Sequence, residues 1–211
     1  MDGNYDNIFS KIALSVTSAQ LAKALSVTEY GLGEDLNFNF FGWADGRLSI
    51  VAQLQREYMR MPPADRLAQC GSLCVALRKF WGATDITMVA EGFCSFDKEK
   101  THELDLAKIF ADDSISGVHE CVTISHASLI DGEPRVDVVA VPYVYGEGRK
   151  ITWLDMLIHP GGGEKVMREY TYPKMLGMAI SQDINSEELP PEAFDELMMA
   201  MVRNGFFVQE M

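Results

Sequence analysis

"DITMVAEGFCSF", residues 85–96, alternates as a strand, with Thr87, Val89, Glu91 and Phe93 on one side and Ile86, Met88, Ala90 and Cys94 on the other. The stretch reads as a strand that runs through a core, yet Glu91 sits in its middle. An unpaired carboxylate in a dry interior costs several kcal/mol or stays protonated. If its side of the strand packs on helix, Glu91 needs company; a solvent-facing sheet surface is the alternative, and for a buried Glu91 two readings compete. A structural carboxylate held by Arg47, Arg135 or another polar partner is expected ahead of a cross-sheet pair with Glu120 that binds a cation or does acid/base work.

The fold is built outward from that strand. Before it, "PPADRLAQCGSLCVALRKFWG" places Leu67, Cys70, Cys74, Leu77 and Trp81 on one stripe, starts on proline and Asp65, and ends at Gly82. This is an amphipathic helix over residues 64–81 that packs on a sheet, with Arg78 on its outer face. Upstream, Asp45-Gly46 joins two β-rich runs in a tight hairpin. Downstream, "HECVTISHASL", "RVDVVAVPYVY" and "KITWLDMLIHP" read as three successive antiparallel strands, with reversals at Asp131-Gly132 and Gly146-Glu147-Gly148.

One or two N-terminal helices cover residues 5–26, with Ile8, Ile12, Val16 and Ala19 at helical spacing and Ser18 able to cap a second helix. The segment "DKEKTHELDLAKIFADDS" is a charged excursion with a short helix at 103–111. Residues 164–185 fit helix or strand around Pro173. A last helix follows Pro190 and Pro191, presents Phe194, Leu197, Met198 and Met201, stops at Asn204-Gly205 and ends the domain. With neither linker nor repeat, residues 1–211 form one α+β domain: N-terminal helices at 5–26, sheet and central helix at 36–160, and a C-terminal helical region at 164–211. The mainly antiparallel sheet has five or six strands, with helices packed on one face.

Eighteen basic and thirty-one acidic residues give a net charge of -13. Such a surface repels phosphate, which argues against nucleic-acid binding through phosphate contacts and against anionic membranes. "MDGNYDNIF" lacks the basic start and apolar run of a secretory signal, and no long apolar span follows, so the chain is expected to stay where it is made. Cys70, Cys74, Cys94 and Cys121 form no CxxC pair and read as buried free thiols.

Motifs for chemistry are weak. The four histidines include His119 and His126 in "HECVTISH", but along a regular strand those two point to opposite faces, while Glu120 and His126 share one. Only a bulge would bring His119, Glu120 and His126 to one ion. "HPGGGEK" lacks the GxxxxGK[ST] of a phosphate loop, and no G-x-S-x-G elbow occurs, so it reads as a turn. No cofactor is implied. The methionines of the last third fill core gaps or form an adaptable binding surface.

The succession of a helix ending "LRKFWGA", "ITMVAEGF", a charged gap, "HECVTIS" and "VDVVAVPYVY" resembles a group of small uncharacterised proteins encoded by tailed bacteriophages. The resemblance covers roughly residues 36–145. It rests on Glu91-Gly92-Phe93 closing a hydrophobic strand and on Glu120 ahead of Val122 and Ile124; Val118-His119 stands where an arginine is often found. It implies viral origin; taken with the lack of enzyme motifs, the acidic surface and the methionine-rich last third, it leads to the expectation of a phage- or prophage-encoded accessory protein that binds a phage or host protein, or itself, in the host cytoplasm or on the virion. The alternative is a small divalent-metal-dependent hydrolase using Glu91, Glu120 and His126.

Overall fold

The computed structural model describes residues 8–30, 36–95, 118–146, 150–159, 171–183 and 191–211. Helix α1 (Ile8–Tyr30) leads into the hairpin of β1 (Asn39–Ala44) and β2 (Arg47–Leu54). Helix α2 (Pro63–Trp81) then feeds β3 (Asp85–Ser95). The long hairpin of β4 (Val118–Ile130) and β5 (Glu133–Tyr145) follows, then the short β6 (Ile151–Trp153) and β7 (Leu157–His159). Helices α3 (Thr171–Ser181) and α4 (Pro191–Arg203) and strand β8 (Phe206–Glu210) complete the described chain. The eight strands form one sheet, ordered β6-β5-β4-β3-β1-β2-β8 with β7 also on β5, and every pairing is antiparallel.

The α+β class and the antiparallel sheet stand as read, and two details are corrected, the strand count and the faces that carry helices. The sheet has eight strands rather than five or six, because the third downstream strand splits into β6 and β7 and because "FFVQE" adds β8 beside β2. The chain therefore returns to the sheet after its last helix. Helices lie on both faces rather than one. The even residues of β3, Ile86, Met88 and Ala90, pack with α2, α3 and Met201 of α4, whereas Val89 packs with Val16 and Ala19 of α1. The N-terminal segment is a single helix, since nothing between Ile8 and Tyr30 breaks it, and Ser18 lies in its interior.

Both Asp-Gly turns are as expected. Asp45 and Gly46 have φ of 49° and 74°, and Asp131 and Gly132 have 53° and 83°, the paired positive values of a hairpin turn matched to strand twist. Helix α2 ends on Gly82 in the left-handed conformation, with Cys70, Leu73, Cys74 and Leu77 buried. Arg78 is not on an outer face: its guanidinium donates to the carbonyls of Ala179, at 3.0 Å, and Gln182, tying α2 to the end of α3. Residues 164–170 and the short helix expected at 103–111 lie outside the described residues, as do His102, Gly148 and the side chains of His159 and Phe194. Among the described residues, no helix is long and apolar enough to cross a membrane.

Candidate functional site

Helix α1 turns its lysines inward. Among its described side chains Lys11, Ser15, Val16, Ala19 and Lys23 are buried, and they face the side of the sheet that carries Asp85, Thr87, Glu91, His126 and Tyr143. Two polar clusters result, separated by the apolar layer of Val16, Val89, Ile124 and Val139.

The first cluster centres on Glu91. Its carboxylate receives Lys23 Nζ, the Tyr143 hydroxyl, and the backbone N–H of Leu36 at 2.7 Å. Lys23 is 1% exposed, and its ammonium lies 5.2 Å from the centre of the Tyr143 ring. Burial works against the Lys23 charge, but Glu91 and Tyr145 outweigh it and the pKa is raised. The Tyr143 hydroxyl is pushed up by burial and then by Glu91 and Glu120, so it remains a donor. The expectation of a polar or basic partner for Glu91 holds. The partner is Lys23 from α1 rather than Arg47 or Arg135.

The second cluster lies nearer the other end of β3. Lys11 Nζ is 2.9 Å from Asp85 Oδ2, Thr84 Oγ1 donates to the same oxygen at 2.8 Å, and His126 Nε2 lies 3.5 Å from Asp85 Oδ1. That last separation exceeds a good hydrogen bond, and Nε2 has no closer acceptor. Trp43 Nε1 donates to Thr87 Oγ1 at 2.9 Å, and Thr87 Oγ1 is 2.8 Å from His126 Nδ1. Trp43 can only donate. Thr87 is then placed to give its proton to Nδ1, which leaves the imidazole proton on Nε2, on the side of Asp85.

Hydroxyl, imidazole and carboxylate in that order resemble the relay of a hydrolase. Access decides against that use, because Thr87 and His126 are both 0% exposed and the hydroxyl is already engaged by Trp43. No substrate carbonyl can reach it.

Glu91 and Glu120 come to the same end of the sheet face, with Glu120 the register partner of Tyr143. His126 does not join them. It lies four residues beyond Val122, the register partner of Glu91, or about 13 Å along the strand. His119 is paired in register with Cys94 on the opposite face, and β4 runs from Val118 to Ala127 against β3 without a bulge. Among the described residues, no group of three or more His, Cys, Asp and Glu is placed to hold a metal ion. All four cysteines are free and buried, and burial pushes the Cys70 thiol up to about 12.

The Asp85 cluster predicts an acid response. Burial would raise the Asp85 carboxyl, but His126, Lys11 and Thr84 more than offset this and hold it at about 2 against an ordinary 3.8. A depressed folded value stabilises the protein above the unfolded pKa, and that stabilisation disappears as pH falls through the folded one. Asp85→Asn should therefore destabilise at about pH 7, with roughly 2 kcal/mol of the difference from wild type vanishing by about pH 2. Denaturant titrations of both proteins at the two pH values measure this. An unchanged difference would remove Asp85 from the acid limb.

Comparison with protein-family models, with curated proteins and with solved structures found no match.

Proposed function

We propose that the protein is a phage- or prophage-encoded accessory protein that works by binding another protein, in the host cytoplasm or on the virion, through the outer side of α1. The observation that carries this reading is the orientation of that helix. Between Ile8 and Leu25 its only charges are Lys11 and Lys23, and both are buried against the sheet. Its solvent side is uncharged and exposes Phe9, Leu21 and Leu25 at 74%, 60% and 55%. In a chain with 23% charged residues, more than four turns of uncharged helix surface mark a place that another molecule covers.

The surface continues beside the helix. A groove of about 760 Å³ lies between the first turns of α1 and β7, lined by Ile8, Phe9, Ile12, Met156 and Ile158, with the Arg135–Asp137 ion pair in its wall. Met156 and Ile158 are more than half exposed. Apolar side chains around a recess with one polar pair suit the anchoring residues of a protein partner. The phage assignment rests on the sequence resemblance, and the binding reading rests on this surface.

The test is affinity capture from phage-infected cells, with captured proteins identified by mass spectrometry. Leu21→Glu/Leu25→Glu alters only exposed positions and should fold normally while losing a specifically captured partner. Retention of every captured protein by that variant would defeat the reading.

A further inference from the structure

We infer that the outer side of α1 also pairs with α1 of a second copy of this chain, antiparallel, about a two-fold axis between Ser18 and Leu21. The inference rests on the proposed role of this surface in binding and names one occupant. Leu14, Ser18, Leu21 and Leu25 recur at intervals of four, three and four, which keeps them on one stripe of the helix, the seam spacing of paired helices. Ser18 is the one small residue in that stripe.

Antiparallel pairing sets Leu14 against Leu25 of the second copy and Leu21 against Ser18. Large then meets small at the centre, and leucine meets leucine at both ends. A two-fold interface must be complementary to itself, and this stripe is. Charge points the same way. With a net charge of -13, two copies repel unless they meet where charge is absent. The outer side of α1 is such a place, because Asp85 and Glu91 draw its two lysines inward.

Leu14 to Leu25 span roughly 17 Å of helix, a contact smaller than most specific interfaces, so weak, micromolar or looser dissociation is expected. Sedimentation equilibrium of the full chain from about 1 to about 200 µM should show reversible dimerisation, weakened at least about tenfold by Leu21→Glu. A wild-type chain that stays monomeric throughout would overturn the inference. So would a Leu21→Glu variant that dimerises like wild type.

Disulfide trapping fixes the register, since the four native thiols are buried. Ser18→Cys mixed with Leu21→Cys should oxidise to the heterodimer far faster than either variant does alone. Equal self-crosslinking of Ser18→Cys would overturn the antiparallel arrangement. A monomeric wild type whose captured partner is still lost on Leu21→Glu/Leu25→Glu would defeat the second-copy inference and leave the broader binding role standing.

Discussion

Leu77→Asp is expected to leave the protein unfolded or insoluble. Leu77 is fully buried among Cys74, Ile50, Ile86 and the residues of α3 that close the larger core. The change removes a packed leucine, at about 2 to 5 kcal/mol, and adds a carboxylate with no cation to receive it, at several more. A domain of this size has only about 5 to 15 kcal/mol of stability to lose. Two comparisons calibrate the effect. Ser72→Asp places the same charge on the exposed side of α2 and should stay within about 0.5 kcal/mol of wild type. Arg78→Asp removes the donor to Ala179 and Gln182 and should cost about 1 to 3 kcal/mol. Soluble yield and urea midpoints should rank Leu77→Asp far below Arg78→Asp, and Arg78→Asp below Ser72→Asp. A soluble, cooperatively folding Leu77→Asp would mean that α2 packs on another face.

Elements with one regular period and a terminator of definite geometry were legible in the sequence. Helix α2 announced its stripe and its glycine stop, and the Asp-Gly turns announced two hairpins. The alternation of β3 correctly separated Thr87, Val89 and Glu91 from Ile86, Met88 and Ala90. Strand β8 was harder, because five residues at a chain end form a strand only through pairing with β2, which lies far away in sequence.

Which side of helix α1 meets the sheet was not legible, because its apolar residues surround it. Ile12, Val16 and Ala19 do face the sheet, but so do Lys11, Ser15 and Lys23, which hydropathy alone assigns to solvent. One signal was available. Lys11 and Lys23 are twelve residues apart on a helix, about 18 Å, and Asp85 and Glu91 are six apart on a strand, about 20 Å. Two cations spaced to match two strand carboxylates point to a helix laid along that strand. The same argument explains why Glu91 sits in an apolar strand at all.

Glu91→Gln is therefore expected to destabilise the protein by about 3 to 5 kcal/mol, because it removes one member of a buried ion pair and leaves the other behind. Lys23, 1% exposed, would lose the Glu91 carboxylate, and the Tyr143 hydroxyl and the Leu36 N–H would share a weaker, neutral acceptor. The reciprocal change has a different outcome. Lys23→Met fills the space of the lysine stem with an apolar chain and leaves Glu91 its two remaining donors, so it should cost less. The double variant should be more stable than Glu91→Gln alone, since it removes the buried cation that has lost Glu91. Thermal or urea unfolding of the four proteins gives this cycle directly. Loss of the pair would also release the C-terminal half of α1 and expose Lys23, so the uncharged outer stripe would lose its fixed position. Capture of the partner should then fail in Glu91→Gln and return in part in the double variant, whereas a group needed for chemistry would give no such recovery. A Glu91→Gln protein as stable as wild type would show that Glu91 does not hold α1 in place.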